Sequence, residues 1–91
     1  MLTLDSVVRT VTGVATRESG NELVVVSPAQ GKYLVLNQTG ATVFRLLDGK
    51  MSLRNIATRL GENSQVPLEK VQADVLALTE QLLERGVVTV S

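Results

Sequence analysis

The side chains that could carry acid, base or nucleophilic chemistry are few and scattered in this 91-residue sequence. The chain has no His and no Cys, so it lacks the side chain that titrates near neutral pH, a thiolate nucleophile and the usual zinc ligands. Its nine carboxylates match no catalytic or calcium-binding motif, and its seven glycines occur singly, without a phosphate-loop pattern. We therefore expect a protein that is not an enzyme and needs no metal or cofactor, although the spacing leaves a Ser-Lys arrangement open.

Charge and hydropathy narrow the range of partners. Nine basic and nine acidic residues cancel, with sums of +1 over residues 1–50 and −1 over residues 51–91, so no general attraction to nucleic acid or membrane is indicated. The N-terminus has no basic segment followed by a long apolar run, and no apolar stretch has the length of a bilayer span. We expect a single cytoplasmic domain over residues 1–91 with an aliphatic core.

The order of local patterns predicts the fold. Three short runs predict an antiparallel meander between about residues 7 and 36: residues 11–17, 22–27 and 32–36, rich in Val and Thr and separated by two turns. The period then becomes helical, and the predicted helices cover about residues 39–48, 52–61 and 67–85. A final "VVTV" predicts a short C-terminal strand. The expected fold is α+β and winged helix-turn-helix-like: a three-stranded antiparallel sheet followed by three helices and a short strand.

Boundary residues support these helices. Ser52 is a good N-cap, and Pro67 suits a first turn because its missing N–H is not needed there. Gly49 and Gly86 can adopt the left-handed conformation that closes a helix.

The third predicted helix shows more apolar surface than one contact needs. One stripe has spacings of four, three and four: Val71, Val75, Leu78 and Leu82. Leu76 and Leu83 lie on a neighbouring flank. Either this flank packs on the sheet and the first helix, or part of it is available to a partner.

DNA binding is the usual function of such a fold, but the charges disfavour it. The third predicted helix, residues 67–85, carries two cationic and four acidic side chains, for a sum of −2 that would repel phosphates. Arg54 and Arg59 on the second helix are about 140° apart around the axis, which is typical of a solvated face. A DNA-binding regulator is therefore the more distant alternative, and we expect no nucleic-acid partner.

With catalysis, metal binding and DNA binding disfavoured, the segment "YLVLNQTG" indicates another function, the binding of a partner through backbone hydrogen bonds. The last strand of a meander lies at the sheet edge unless another segment covers it, and its unpaired N–H and C=O groups can template a guest strand. Alternation places Tyr33 and Val35 on one face and Leu34 and Leu36 on the other, so that one set belongs to the core. The same edge leaves homodimer formation by strand pairing or swapping open.

The stretches "YLVLNQTGATVFRLLDG", "SLRNIATRL" and "DVLALTEQLLERGVV" resemble the small precursor-peptide recognition proteins related to PqqD, the chaperone of pyrroloquinoline quinone biosynthesis. The resemblance spans about residues 33–88 and rests on these positions, in the family's order: Tyr33, Leu36-Asn37-Gln38-Thr39-Gly40, Val43-Phe44, Leu46-Leu47-Asp48-Gly49, Asp74-Val75, Leu78, Leu82 and Gly86-Val87. Phe44 stands where Trp is common in the family, and Thr79 stands where Leu is expected, which leaves a small or polar spot on the third helix.

The resemblance implies a free-standing recognition element for ribosomally synthesised and post-translationally modified peptides (RiPPs). Such an element binds the leader segment of a precursor peptide as an added strand and delivers it to a separate maturation enzyme. The implied partner is a leader peptidase of a lasso-peptide pathway, which the uninterrupted "GKYLVLNQTG" and "FRLLDGK" favour. The alternative partner is a radical S-adenosylmethionine enzyme of pyrroloquinoline quinone assembly.

The resemblance and the predicted geometry together indicate the peptide-binding residues. On the third strand they are Lys32, Tyr33, Leu34, Val35 and Leu36, and on the third helix Val71, Asp74, Val75 and Leu78. Val75 and Leu82 are also the residues most expected to serve the core alone. Asp74 is expected to meet a polar or cationic leader residue, or else to lie on a solvated face near Lys70, four residues earlier. Asn37, Thr39 and Gly40 are expected to be turn and cap residues.

Overall fold

The computed structural model describes residues 2–28, 30–62 and 64–91 of the chain. The helices and strands in these ranges are β1 (Val7–Thr10), β2 (Ala15–Ser19), β3 (Glu22–Val26), β4 (Tyr33–Leu36), α1 (Gln38–Leu46), β5 (Asp48–Ser52), α2 (Leu53–Gly61), α3 (Leu68–Glu84) and β6 (Val88–Val90). The predicted α+β class is confirmed. Within the same ranges, no helix combines the length and the apolar character needed to cross a membrane.

The predicted meander forms one of two antiparallel sheets. β2, β3 and β4 pair in chain order, with Val25 opposite Leu34. Gly20 and Gly31, in the two hairpin connections, have φ values of +61° and +64°, which only glycine adopts at little cost. Ala29, in the second predicted turn, lies outside the described residues. β4 is an edge strand of this sheet, as predicted.

The second sheet, with strand order β5-β1-β6, goes beyond the predicted fold. The pattern predicts a strand at residues 11–17, but a turn in which the Val14 N–H donates to the Val11 carbonyl separates β1 from β2. β5 covers "DGKMS", where the pattern predicts a helix end and a connection. This strand forms through its pairing with β1, in a register that places Ser52 opposite Val7 and Asp48 opposite Arg9, and tertiary context of this kind overrides local propensity.

Side-chain caps begin the first two helices. The Asn37 side chain accepts a hydrogen bond from the Gly40 N–H at 2.8 Å, and the Ser52 hydroxyl accepts one from the Asn55 N–H at 3.2 Å. Both capping predictions are confirmed. The prediction for Gly49 is wrong: its φ is +80°, but it lies in β5, because α1 ends before it reaches the glycine.

The boundaries of α3 agree with the prediction to within one residue at each end. Pro67 occupies the N-cap position. At the other end, the Gly86 N–H donates to the Leu83 carbonyl at 3.1 Å and the Val87 N–H donates to the Leu82 carbonyl at 3.2 Å. These two bonds form a Schellman motif, with Gly86 at φ +74°. The motif turns the chain directly into β6.

The core draws side chains from β1, β3, β4, β6 and all three helices, and α3 packs mainly against α2 and β6. Val75 and Leu82 are 2% and 0% exposed and belong to this core. Thr79 is also buried, and its hydroxyl donates to the Val75 carbonyl at 2.7 Å, so the polar side chain that stands where the family pattern expects Leu is satisfied within its own helix. Leu76 and Leu83 are partly buried against the core, which supports the packing alternative for that flank.

Candidate functional site

The phase of the hydrogen bonds between β3 and β4 decides which backbone groups of β4 are free. Just before β4, the Ser27 N–H donates to the Lys32 carbonyl at 2.8 Å. In an antiparallel ladder, residues alternate between pairs that exchange hydrogen bonds and pairs that do not. With the regular register that follows, Leu34 and Leu36 therefore direct their N–H and C=O groups towards β3, as Lys32 directs its carbonyl.

Tyr33 and Val35 consequently direct their N–H and C=O groups away from β3, to the open side of the sheet. No other strand of the described residues pairs with β4 on that side. The Tyr33 and Val35 side chains lie on the outer face of the sheet and are 65% and 45% exposed, whereas Leu36 on the inner face is 4% exposed. An extended chain laid along β4 would find a donor and an acceptor at each of the two outward residues.

An open groove of about 770 Å³ runs beside this edge. Its walls are β4, the start of α1 and one face of α3, and its end is formed by α2 and the loop before α3. The principal apolar side chains that line it are Leu34, Leu36, Leu60, Val66, Val71 and Leu78. A strand added to β4 would therefore lie against apolar surface on its inner face.

The α3 wall determines how much of a peptide the groove can hold. It consists of Val71, Asp74, Val75, Leu78 and Gln81, which share one face of the helix. The first and last of these are about 15 Å apart along the helix axis. An extended strand covers that distance with about four to five residues, so the groove suits a short linear segment.

Most of the predicted site residues line this groove. They are Leu34, Val35, Leu36, Val71, Asp74, Val75 and Leu78. Lys32 and Tyr33 are not among the lining residues. Lys32 precedes β4 and uses its carbonyl in the turn to β3. Tyr33 contributes outward backbone groups instead, and its side chain lies on the other face of the sheet.

Two apolar residues at one end of the groove were not predicted as part of the site. Leu60 of α2 and Val66 of the following loop line one end. The sequence signal for Val66 is an apolar residue immediately before Pro67 in an otherwise polar loop. In the structure its side chain is 42% exposed. Of the residues predicted to be turn and cap residues, Asn37 caps α1, whereas Thr39 and Gly40 lie in the first turn of that helix. All three also line the groove.

Asp74 is the one charged residue that lines the groove in the described part of the chain. Its Oδ2 atom lies 3.7 Å from the Nζ atom of Lys70, one helical turn earlier. Both side chains are about two-thirds exposed, and exposed pairs of this kind contribute only about 0–1 kcal/mol. The groove thus combines an apolar lining with a weakly paired negative charge.

One of the two arginines of α2 is already paired with a carboxylate. The Arg54 Nε atom lies 3.3 Å from the Asp5 Oδ1 atom, which offsets one of the two cationic charges of this helix. Phosphate contacts depend on cations that can replace counterions. The pairing of Arg54 therefore reduces the positive charge that α2 could offer to a DNA phosphate.

The sequence of the groove elements matches a known family. Residues 22–88, from β3 into β6, match the family described as "Coenzyme PQQ synthesis protein D (PqqD)". The chain belongs to the PqqD family. One relative in it, the "PqqA binding protein" of Gluconobacter oxydans (strain 621H), is 36% identical over 64 residues, which cover 70% of this chain and 67% of that protein. The resemblance stated from the sequence motifs is confirmed.

Solved structures share the fold of this PqqD family member. The PqqD truncation of Methylobacterium extorquens PqqCD, described as a stand-alone RiPP recognition element, has a TM-score of 0.82 and 24% identity, covering 98% of this chain and 95% of that chain. Lasso peptide synthetase B1, complexed with the leader peptide, has a TM-score of 0.79 and 23% identity, covering 91% and 98%. TbiB1, in complex with the TbiA(beta) leader peptide, has a TM-score of 0.77 and 18% identity, covering 88% and 93%.

Proposed function

We propose that this chain is a non-catalytic recognition element that binds the leader segment of a ribosomally synthesised precursor peptide. The observation that carries the proposal is the open edge of β4 beside an apolar groove walled by α3. The leader adds to the sheet as a strand, and its backbone hydrogen-bonds to Tyr33 and Val35. Its inward side chains enter the groove, where their apolar burial supplies most of the affinity.

Comparison with relatives supports this occupant. The Gluconobacter oxydans relative is named for binding PqqA, and two structural neighbours are complexed with leader peptides. The groove holds about four to five strand residues, which suits a linear segment better than the surface of a folded protein. Family membership and groove shape therefore lead to the same class of ligand.

We further propose that a separate enzyme matures the bound precursor in the cytoplasm. A lasso-peptide leader peptidase is the favoured partner, on the motif "GKYLVLNQTG" and the likeness of fold to lasso peptide synthetase B1. The alternative is a radical S-adenosylmethionine enzyme of pyrroloquinoline quinone assembly, favoured by the 36% identity to the PqqA binding protein. Co-purification of this chain with the enzymes encoded beside its gene distinguishes the two pathways.

Calorimetric titration with synthetic leader segments tests the binding step. The peptides are those of short precursors encoded beside the gene, and we expect saturable binding to at least one of them. Failure of every such peptide to bind contradicts the proposal. In a parallel titration, tight binding of duplex DNA that weakens steeply with salt would support the regulator instead.

The oligomeric state is a second measurable property of the same edge. If two copies pair through β4, the leader and the second copy compete for the Tyr33 and Val35 backbone groups. Sedimentation of the chain with and without peptide then shows a dimer that dissociates as the leader binds. If the dimer persists when the chain is saturated with peptide, self-association uses a surface other than the β4 edge.

A further inference from the structure

The outer face of the β2-β3-β4 sheet carries apolar side chains, and of their residues Val35 also lines the groove. The register places Tyr33 beside Val26 and Val35 beside Val24. Val24 and Val26 are half-buried, but Tyr33 and Val35 are 65% and 45% exposed. Each pair forms a short apolar row across the sheet that ends at the open edge of β4.

A strand added to β4 would continue both faces of the sheet. Its side chains alternate, so those of one parity enter the groove and those of the other emerge on the outer face. Side chains on the same face of adjacent strands lie about 5 Å apart. Each outward guest residue therefore lies beside Tyr33 or Val35 and extends one of the two rows.

We propose that the guest peptide is recognised through both of its faces. This inference rests on the proposed function, and it specifies the ligand as a segment with apolar or aromatic side chains at about four consecutive positions. Inward side chains contact Leu34, Val71 and Leu78 in the groove. Outward side chains cover Tyr33 and Val35.

The guest peptide itself is the occupant of the outer surface because that surface is continuous with the edge where the peptide binds. A peptide with polar outward residues would bury less apolar surface against Tyr33 and Val35. An apolar outward residue buries surface on both partners, and this burial favours binding. A strand that alternates apolar and polar residues therefore uses only the groove half of the site.

Selection from a randomised library of short displayed peptides tests the ligand class. The bait is the full chain, and peptides that also bind the Val35→Pro variant are discarded, so that only peptides dependent on the β4 edge remain. We expect uninterrupted apolar or aromatic runs among them. Enrichment of strictly alternating apolar and polar residues overturns this inference and leaves the proposed function intact. Recovery of no edge-dependent peptide contradicts both.

Two substitutions on the outer face test the contacts with one selected peptide. Val35→Thr and Tyr33→Thr keep strand propensity and the backbone N–H groups, and each should raise the Kd by about three- to tenfold. Val90→Thr is the matched control, because Val90 is an exposed valine (52%) on the edge strand β6 of the other sheet, and it should leave the Kd unchanged. Unchanged Kd values for both β4 variants overturn the inference. It is also overturned if these variants alter only the self-association of the free chain.

Discussion

The Nζ atom of Lys70 lies 3.7 Å from the Oδ2 atom of Asp74, one helical turn further along α3. Asp74 is the one charged lining residue among the parts of the chain that the structure describes. Because the pair is exposed and weak, a Lys or Arg side chain of a bound peptide can replace Lys70 as the partner of this carboxylate. We therefore expect Lys70 to compete with a cationic ligand.

Substitutions of this pair should change the affinity for a Lys- or Arg-containing leader in opposite directions. At low salt, Asp74→Asn weakens binding by about two- to fivefold, because it removes the attracting charge, and Lys70→Gln strengthens binding by a similar factor. High salt should abolish both effects. Calorimetric titrations measure them, with Glu80→Gln, an exposed α3 residue outside the groove lining, as the control. Equal loss of affinity in both variants would show that the pair acts structurally.

Val35→Pro should weaken leader binding by about tenfold while the fold is retained. Proline removes an N–H that points to the open edge and is not used by the β3–β4 ladder. Circular dichroism checks the fold, and fluorescence anisotropy with a labelled leader measures the affinity.

Val90→Pro is the matched control for this change. The Ser91 N–H donates to the Val7 carbonyl and the Val11 N–H donates to the Val87 carbonyl. By alternation, the Val90 N–H points away from β1, to the open edge of the other sheet. We expect Val90→Pro to leave the affinity unchanged, and an equal loss in the two proline variants would refute a specific role for the β4 edge.

The effect of a substitution at Thr79 on the free energy of unfolding should depend on the volume of the new side chain more than on loss of the hydroxyl. The hydroxyl donates to the Val75 carbonyl at 2.7 Å, an atom that a regular helix already pairs with the backbone N–H of residue 79. Thr79→Val should therefore change the free energy of unfolding by less than about 1 kcal/mol. Thr79→Leu overpacks a fully buried position and should lower it by about 1–3 kcal/mol. Urea unfolding measures the free energy of unfolding of both variants. A leucine variant more stable than the valine variant would contradict the prediction, because it would show that the site around residue 79 has unfilled space.

Asp48 should contribute to the pH dependence of stability. The Lys50 N–H, which donates to its carboxylate, lowers the pKa of Asp48 below the ordinary value of 3.8. A lowered folded-state pKa stabilises the protein above the unfolded value, and this contribution is lost as the pH falls through the folded value. Asp48→Asn should therefore be less stable than the parent chain near neutral pH and equally stable in strong acid. An unchanged stability difference in acid, measured by urea unfolding, would assign the effect to something other than ionisation.

The strongly patterned segments of this chain were predictable from sequence. The runs that become β3 and β4 combine β-branched residues with clear turn signals, and the stripe from Val71 to Leu82 has helical spacing. Ser52 and Asn37 were correctly predicted at helix starts because capping depends on one side chain and the nearby N–H groups. β5 was missed because "DGKMS" becomes a strand only through its pairing with β1.

The details of the binding edge needed the structure. Sequence alternation separates the faces of β4, but it does not reveal which N–H groups point away from β3. That phase depends on the hydrogen bond between Ser27 and Lys32 across the turn, and a shift of one residue would reverse it. Val66 was missed for a related reason: loops carry no periodic signal, so only tertiary folding brings this residue to the groove.

Amide hydrogen exchange of β4, with and without saturating leader peptide, tests strand addition most directly. In the free chain, the Leu34 and Leu36 amides are bonded to β3 and should exchange slowly, whereas those of Tyr33 and Val35 should exchange quickly. Added peptide should protect Tyr33 and Val35 strongly and change Leu34 and Leu36 much less. Binding that protects residues of α3 while the Tyr33 and Val35 amides still exchange at their free rates would contradict strand addition at this edge.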